Sequence, residues 1–248
     1  MLDPSLFNPD ALHPIMGSVF RLIESQEKAA TLNLVSSMDE QFELECLLDK
    51  AKPLYRPGTE KMHYLLKTAF RYPPLRYGSR FGSKNELSFY YASETELTCL
   101  IESAYYRFII LDHLETPYLK AINSEHSIFS VKIQCDRGLD LTNTVFSALQ
   151  QMICSPSNYS LTQSIGQWVV SENISADVIR FPSARDSSGT NIAIANPAAI
   201  ISKEPENMIQ CLCQTTTEMV SFSSERLNRP LNVSIKEFLI DGKLPQAA

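Results

Sequence analysis

Residues 70–82 read FRYPPLRYGSRFG, and YYAS at 90–93 and ESAYYRF at 102–108 follow closely. The paired prolines Pro73 and Pro74 exclude a helix interior or a central strand, so this segment is an ordered loop. Gly78 allows close backbone approach, and Arg80 follows two residues later. The loop runs into a short aromatic strand at 88–92. A helix over 95–112 comes next, with Ser93 or Thr95 available as its cap and Glu96 in its first turn. Leu97, Leu100, Ile101, Ala104, Phe108 and Leu111 form the apolar stripe of that helix. Glu102 falls off the centre of the stripe, and on periodicity alone it reads as a solvated carboxylate. Arginines on a constrained loop beside a strand-to-helix transition suit a phosphate-bearing ligand, because guanidinium donors match phosphate oxygens. Without that context the same residues are surface arginines on a proline-stiffened loop.

Outward from this stretch, the chain reads as one large domain or two small ones. Its 248 residues are 44% hydrophobic and 20% charged, which is globular composition. A net charge of −6 removes any general attraction for nucleic acid, so a phosphate site must be local. No segment approaches the roughly 20 apolar residues that span a bilayer. The N-terminal MLDPSLFNPDALHP lacks a signal-peptide pattern, so a cytoplasmic location with no membrane association is expected. Six cysteines include no CxxC pair, and four histidines show no i,i+3 or i,i+4 pairing, so no metal site is expected. Cys46, Cys99 and Cys154 read as small core hydrophobes. Alternation puts Cys211 and Cys213 on one strand face with Ile209.

Residues 14–30 fit a strand through Val19–Ile23 or a short helix. Residues 38–51 predict an amphipathic helix, with Phe42, Cys46, Leu47 and Leu48 at helical spacing. A second short helix is expected at 60–68, a strand at 129–135, and helices over 142–153 and 162–172. Strands are expected at 177–185 and 191–197, and three late ones at 208–214, 218–223 and 232–240. The fold class is therefore α+β, a mixed or antiparallel β core with flanking helices. Its division is a mostly helical N-terminal extension (1–69), a catalytic core (70–201) and a C-terminal β extension (202–248), together one structural domain.

GSRF at 78–81, YYAS at 90–93, LIES at 100–103, TQSIG at 162–166, and IRFPSAR at 179–185 followed by GTNIAI at 189–194 resemble, in order and spacing, the blocks of the RES domain. The signature glycine-glycine-arginine-aromatic has Ser79 in place of its second glycine, a change in loop shape rather than in chemistry. The resemblance covers 70–201, with the flanks similar to the longer branch of that family. It implies an ADP-ribosyltransferase-like fold and consumption of NAD⁺ by cleavage of the nicotinamide–ribose bond, as glycohydrolase or phosphorylase. NAD⁺ is then a substrate, with no prosthetic group. The resemblance places Arg80 in the role of the family arginine, Tyr91 as the pocket tyrosine, Glu102 as the glutamate and Ser183 as the serine. Arg71 is a second arginine candidate for holding the dinucleotide. It further implies a toxin restrained by a small helical antitoxin over the cleft. Arg71, Arg76 and Arg80 are expected to line the cleft mouth, with Tyr72, Tyr77 and Phe81 exposed around it; a homodimer is an allowed assembly. An ADP-ribosyltransferase acting on a protein, or a catalytically silent antitoxin-binding member, are the alternative functions.

Overall fold

The computed structural model describes residues 2–25, 30–74, 78–84, 86–116 and 120–246. Arg76 and Tyr77 lie outside them. Pairing with a distant strand decides the ambiguous N-terminal stretch: Leu12–Glu24 is a strand, β1, not a helix. It pairs antiparallel with the long strand β3, Ile122–Asp140, from Leu12↔Leu139 to Glu24↔His126. The expectation of a mostly helical segment before residue 70 is corrected accordingly, because β1 is a full member of the central sheet. Between them lie α1 (Met38–Ala51), the single turn α2 (Tyr64–Lys67), β2 (Tyr90–Ser93) and α3 (Glu96–Asp112).

After β3 the expected helix over 142–153 is a 3-10 segment, Thr144–Leu149, ending in one α-turn, α4 (Gln150–Ile153). Helix α5 (Ser160–Val170) and strands β4 (Val178–Pro182) and β5 (Thr190–Ile194) follow. The last strands are β6 (Glu206–Thr215), β7 (Met219–Ser224) and β8 (Leu231–Ser234), after which a 3-10 turn at Ile235–Glu237 ends the expected 232–240 strand early.

All eight strands form one sheet, ordered β1-β2-β5-β4-β3-β6-β7-β8. Because β1 also pairs with β3, strands β1, β2, β5, β4 and β3 close into a ring. Only the β3–β4 pairing is parallel. Period-two alternation sends side chains of the ring strands to opposite faces. Tyr90, Ala92, Val178, Ile192 and Ile194 join Val19, Val131 and Leu66 in one core. Ile179, Phe181 and Ala193 join Phe81, Ile165 and Val169 of α5 in another. A third core lies between α3 and the β6–β7 region, where Leu100, Ala104 and Phe108 meet Cys211, Cys213, Val220 and Phe222. Cys211 and Cys213 share the buried face of β6 as expected. Each fully buried Phe or Leu in these cores contributes roughly 1.5–3 kcal/mol.

Two expectations about burial fail. Cys46 is exposed rather than core, and on α1 only Gln41 is buried. Leu97 on α3 is also exposed, its place on the buried face being taken by Thr98 and Cys99. Among the described residues no helix is long and apolar enough to cross a membrane.

Candidate active site

Thr95 caps α3 by accepting from the Thr98 amide, with Glu96 in the first turn, so the helix begins where its sequence directs. Glu102 then lies on the flank of α3 that faces the ends of β4 and β5, in a cleft of about 300 Å³. β4 and β5 form a hairpin in which Phe181 pairs with Asn191 and the Ser183 amide bonds the Gly189 carbonyl. The hairpin delivers two donors to one carboxylate oxygen. Ser183 Oγ and Asn191 Nδ2 each donate to Glu102 Oε1 at 2.6 Å. Ser93 of β2 donates to Asn191 Oδ1, also at 2.6 Å, and so fixes which end of the amide faces Glu102.

Ser183 has little freedom. Its oxygen accepts from the amides of Arg185 and Asp186, at 3.1 and 3.0 Å, and its one proton goes to Glu102. It is thus both the local turn cap and a carboxylate partner. Among the described residues Glu102 Oε2 accepts no hydrogen bond. The solvated reading of Glu102 is overturned: the cleft opens on the flank where the helical stripe places this residue.

Tyr91, on the face of β2 opposite Tyr90, forms the cleft wall beside the 78–82 loop. Its hydroxyl bonds Ser79 Oγ at 2.9 Å and accepts from the Phe81 amide at 3.1 Å. Burial pushes the phenol up to about 12, so it stays neutral. Gly78 adopts a left-handed φ of 73° to start this loop, and the Ser79 amide closes it on the Gly82 carbonyl. Ser79 Oγ accepts from the Gly82 amide at 3.1 Å, so serine serves as a turn clasp where a second glycine was expected.

Arg80 reaches across to the end of α4, donating to the carbonyls of Ile153 (2.7 Å) and Ser155 (3.1 Å), with its guanidinium 4.6 Å from the Tyr159 ring centre. Arg185 approaches the same tyrosine from the Ser183 turn. It lies 3.9 Å over the Tyr105 ring and donates to the Pro156 carbonyl at 3.4 Å. Its Nε and Nη1 are buried and have no hydrogen-bond partner among the described residues. Burial by itself lowers the basicity of this guanidinium, but the surrounding phenols and Glu102 outweigh that and hold it raised. Arg21 of β1 also lines the cleft. Cys99 does too, but burial drives its thiol up to about 12, which removes it as a thiolate nucleophile.

The structure therefore brings Arg80, Tyr91, Glu102 and Ser183 together. It does not include Arg71, which is buried elsewhere, donating to the Pro53 carbonyl, pairing with Asp49 at 3.4 Å and stacking on Tyr55. Phe81 is fully buried and meets Phe181 edge-on, so it is loop anchor rather than exposed aromatic; Tyr72 is exposed as expected. Arg185 and Asn191 escaped the sequence reading. Both lie inside segments matched to the family blocks, IRFPSAR and GTNIAI, yet nothing in their spacing separates them from ordinary turn and strand residues.

The family model of the RES domain matches residues 53–212. Curated protein sequences give no match. Among solved structures, the chain is similar to one from the M. tuberculosis MbcT–MbcA toxin–antitoxin complex, with 13% identity, 88% of this chain and 95% of that chain covered, and a TM-score of 0.49.

Proposed function

The chain belongs to the RES domain family, and from that premise we propose that it cleaves the nicotinamide–ribose bond of NAD⁺ and acts as the toxin of a toxin–antitoxin pair. The observation that carries this reading is the pairing, in one cleft, of a carboxylate anchored through Oε1 with the Arg185 guanidinium, whose buried Nε and Nη1 lack partners among the described residues. A buried donor without an acceptor costs about 1–3 kcal/mol. A phosphate oxygen of a bound dinucleotide would remove that cost.

The chemistry follows from charge. When the C–N bond breaks, its electron pair leaves with nicotinamide, which departs neutral, and positive charge develops on the ribose in an oxocarbenium-like transition state. Glu102 stabilises that charge through Oε2, while Ser183 and Asn191 hold the carboxylate in place. Fixed charge complementary only to the transition state raises turnover. No general acid is required for a neutral leaving group. The acceptor oxygen, from water or inorganic phosphate, then bonds to the anomeric carbon and releases its proton to solvent. Arg80 and Arg185 hold the diphosphate, and Tyr91 shapes the nicotinamide side of the cleft.

Purified protein incubated with NAD⁺, with and without inorganic phosphate, should release nicotinamide, and mass spectrometry of the second product identifies the acceptor. Expression without a partner should deplete cellular NAD⁺ and arrest growth, and co-expression of a small helical antitoxin should relieve both. Soluble protein that leaves NAD⁺ intact in both settings would refute the reading.

A further inference from the structure

Arg80 and Arg185 reach the cleft from distant parts of the chain, one on the 78–82 loop and one on the turn after β4. A single short stretch, residues 153–159, holds both. The carbonyls of Ile153 and Ser155 accept from Arg80 at 2.7 and 3.1 Å, and the Pro156 carbonyl accepts from Arg185 at 3.4 Å. Tyr159 closes the stretch. Its ring centre lies 4.6 Å from the Arg80 guanidinium, and its hydroxyl oxygen accepts from Arg185 Nη2 at 3.4 Å. The side chain touches both arginines yet lines no part of the cleft, being only 6% exposed.

The sequence of this stretch, CSPSNYS at 154–160, makes it stiff. Pro156 fixes its own φ. Ser155 Oγ accepts from the Asn158 amide and Asn158 Oδ1 from the Ser160 amide, each at 3.0 Å, so two side chains lock the turn. The Tyr159 carbonyl is already part of α5, accepting from the Gln163 amide at 2.8 Å. The ring is therefore fixed relative to the carbonyls that hold the arginines. Two guanidiniums on one side chain repel each other. The negative face of the ring favours the first cation, and the lone pairs of the phenol oxygen favour the second.

We propose that Tyr159 is a positioning residue that sets the separation of Arg80 and Arg185, so that the cleft offers two cationic groups arranged in advance for two linked phosphates. The inference rests on the reading that gives these arginines the diphosphate, and it adds the group that holds them. Donors ordered before the ligand arrives lose little freedom on binding, which is where such a spacer gains affinity. Glu102, with Ser183 and Asn191, stands apart from this arrangement.

Calorimetry of the full chain with ADP and AMP as probes tests the proposal, alongside steady-state nicotinamide release from NAD⁺. ADP should bind about tenfold more tightly than AMP. Tyr159→Leu removes ring and hydroxyl together, so it should weaken ADP about tenfold and erase most of that preference. It should raise KM for NAD⁺ by a similar factor with kcat close to its original value, because the lost binding is common to ground and transition states. Tyr159→Phe keeps the ring beside Arg80 and should weaken ADP only about threefold. In an Arg185→Gln background the same change should have no further effect, since the hydroxyl acts through Arg185. That cycle keeps the test decisive if Tyr159→Leu folds poorly. Unchanged ADP affinity in folded Tyr159 variants, additive losses in the cycle, or a fall in kcat at constant KM would overturn the proposal. A chain that binds ADP with this dependence on Tyr159 but releases no nicotinamide would refute the reaction and uphold the spacer. One that releases nicotinamide without preferring ADP to AMP would overturn the spacer alone.

Discussion

Glu102→Gln separates chemistry from architecture at a single atom. The amide oxygen can still accept from Ser183 and Asn191, so the fold and the cleft persist, while the charge that the proposed reaction sets against the ribose is lost. Turnover should fall by about two to three orders of magnitude, with NAD⁺ affinity measured by calorimetry little changed. Arg185 and Arg71 should behave in opposite ways. Arg185→Gln removes the orphaned donors and should weaken NAD⁺ binding by roughly 1.5–3 kcal/mol, as for a hydrogen bond to a charged group. Arg71→Ala should leave NAD⁺ affinity unaltered and cost about 1 kcal/mol of stability in a denaturant titration, through the lost bond to the Pro53 carbonyl. At this scale the family blocks pointed to Arg80, Tyr91, Glu102 and Ser183, and the structure gathers these four side chains around one cleft. The sequence was silent on Arg185 and Asn191, whose roles come from the hairpin register that sets them against α3. It misplaced Arg71, because proximity along a loop does not say which side of the loop a long side chain takes.

Contacts between elements set the position of Arg80. Helix α5 passes so close to the 78–82 loop that a Cβ on Gly166 would lie 1.7 Å from the Phe81 carbonyl oxygen. Gly166→Ala must therefore push helix and loop apart, at a cost of about 1–3 kcal/mol. Since Arg80 adjoins Phe81, activity should fall further than the stability loss explains, and thermal melts alongside nicotinamide-release assays will show whether it does. The β1–β3–β6 junction holds a pH-sensitive element. His126 is buried, with Nε2 facing the Arg107 guanidinium and Ser124 Oγ, while Glu24 pairs with Arg107 at 3.5 Å. Burial first, and then Arg107, hold its pKa below the ordinary 6.5, so the ring is neutral in the fold. The unfolded chain takes up that proton as pH drops below about 6.5 and the folded chain does not, so stability is lost on acidification. Denaturant midpoints measured above and below that pH should show the decline, and His126→Gln should flatten it. Element types were largely legible from periodicity and capping, α3 most clearly. The amphipathic pattern of α1 correctly gave a helix but not the burial of its apolar face, because a pattern names a face and not what covers it. β1 stayed undecided because its burial is set by β3, far along the chain.

For the molecule as a whole, closure of the sheet is the feature least visible in the sequence. Strand content, the late antiparallel strands and the flanking helices follow from local pattern. That β1 joins β2 to β3 and closes the ring depends on pairings between residues far apart along the chain, Phe20↔Ser93 and, more distant still, Leu12↔Leu139. The N-terminal tail is drawn in as well, with Phe7 buried against Phe146 and Trp168. The RES match begins at residue 53 and so leaves out β1 altogether. A fragment that begins at residue 53 and keeps the C-terminal strands would strip β3 of its β1 partner from His126 to Leu139 and present an open, largely apolar edge to other chains. It should aggregate more than the full chain under the same conditions, as pelleting and light scattering can establish. The same vacancy is also a handle. A synthetic peptide spanning Leu12–Glu24, added during refolding, should slot in by donor-strand complementation, turning one chain into a two-piece enzyme that an experimenter can switch on by mixing.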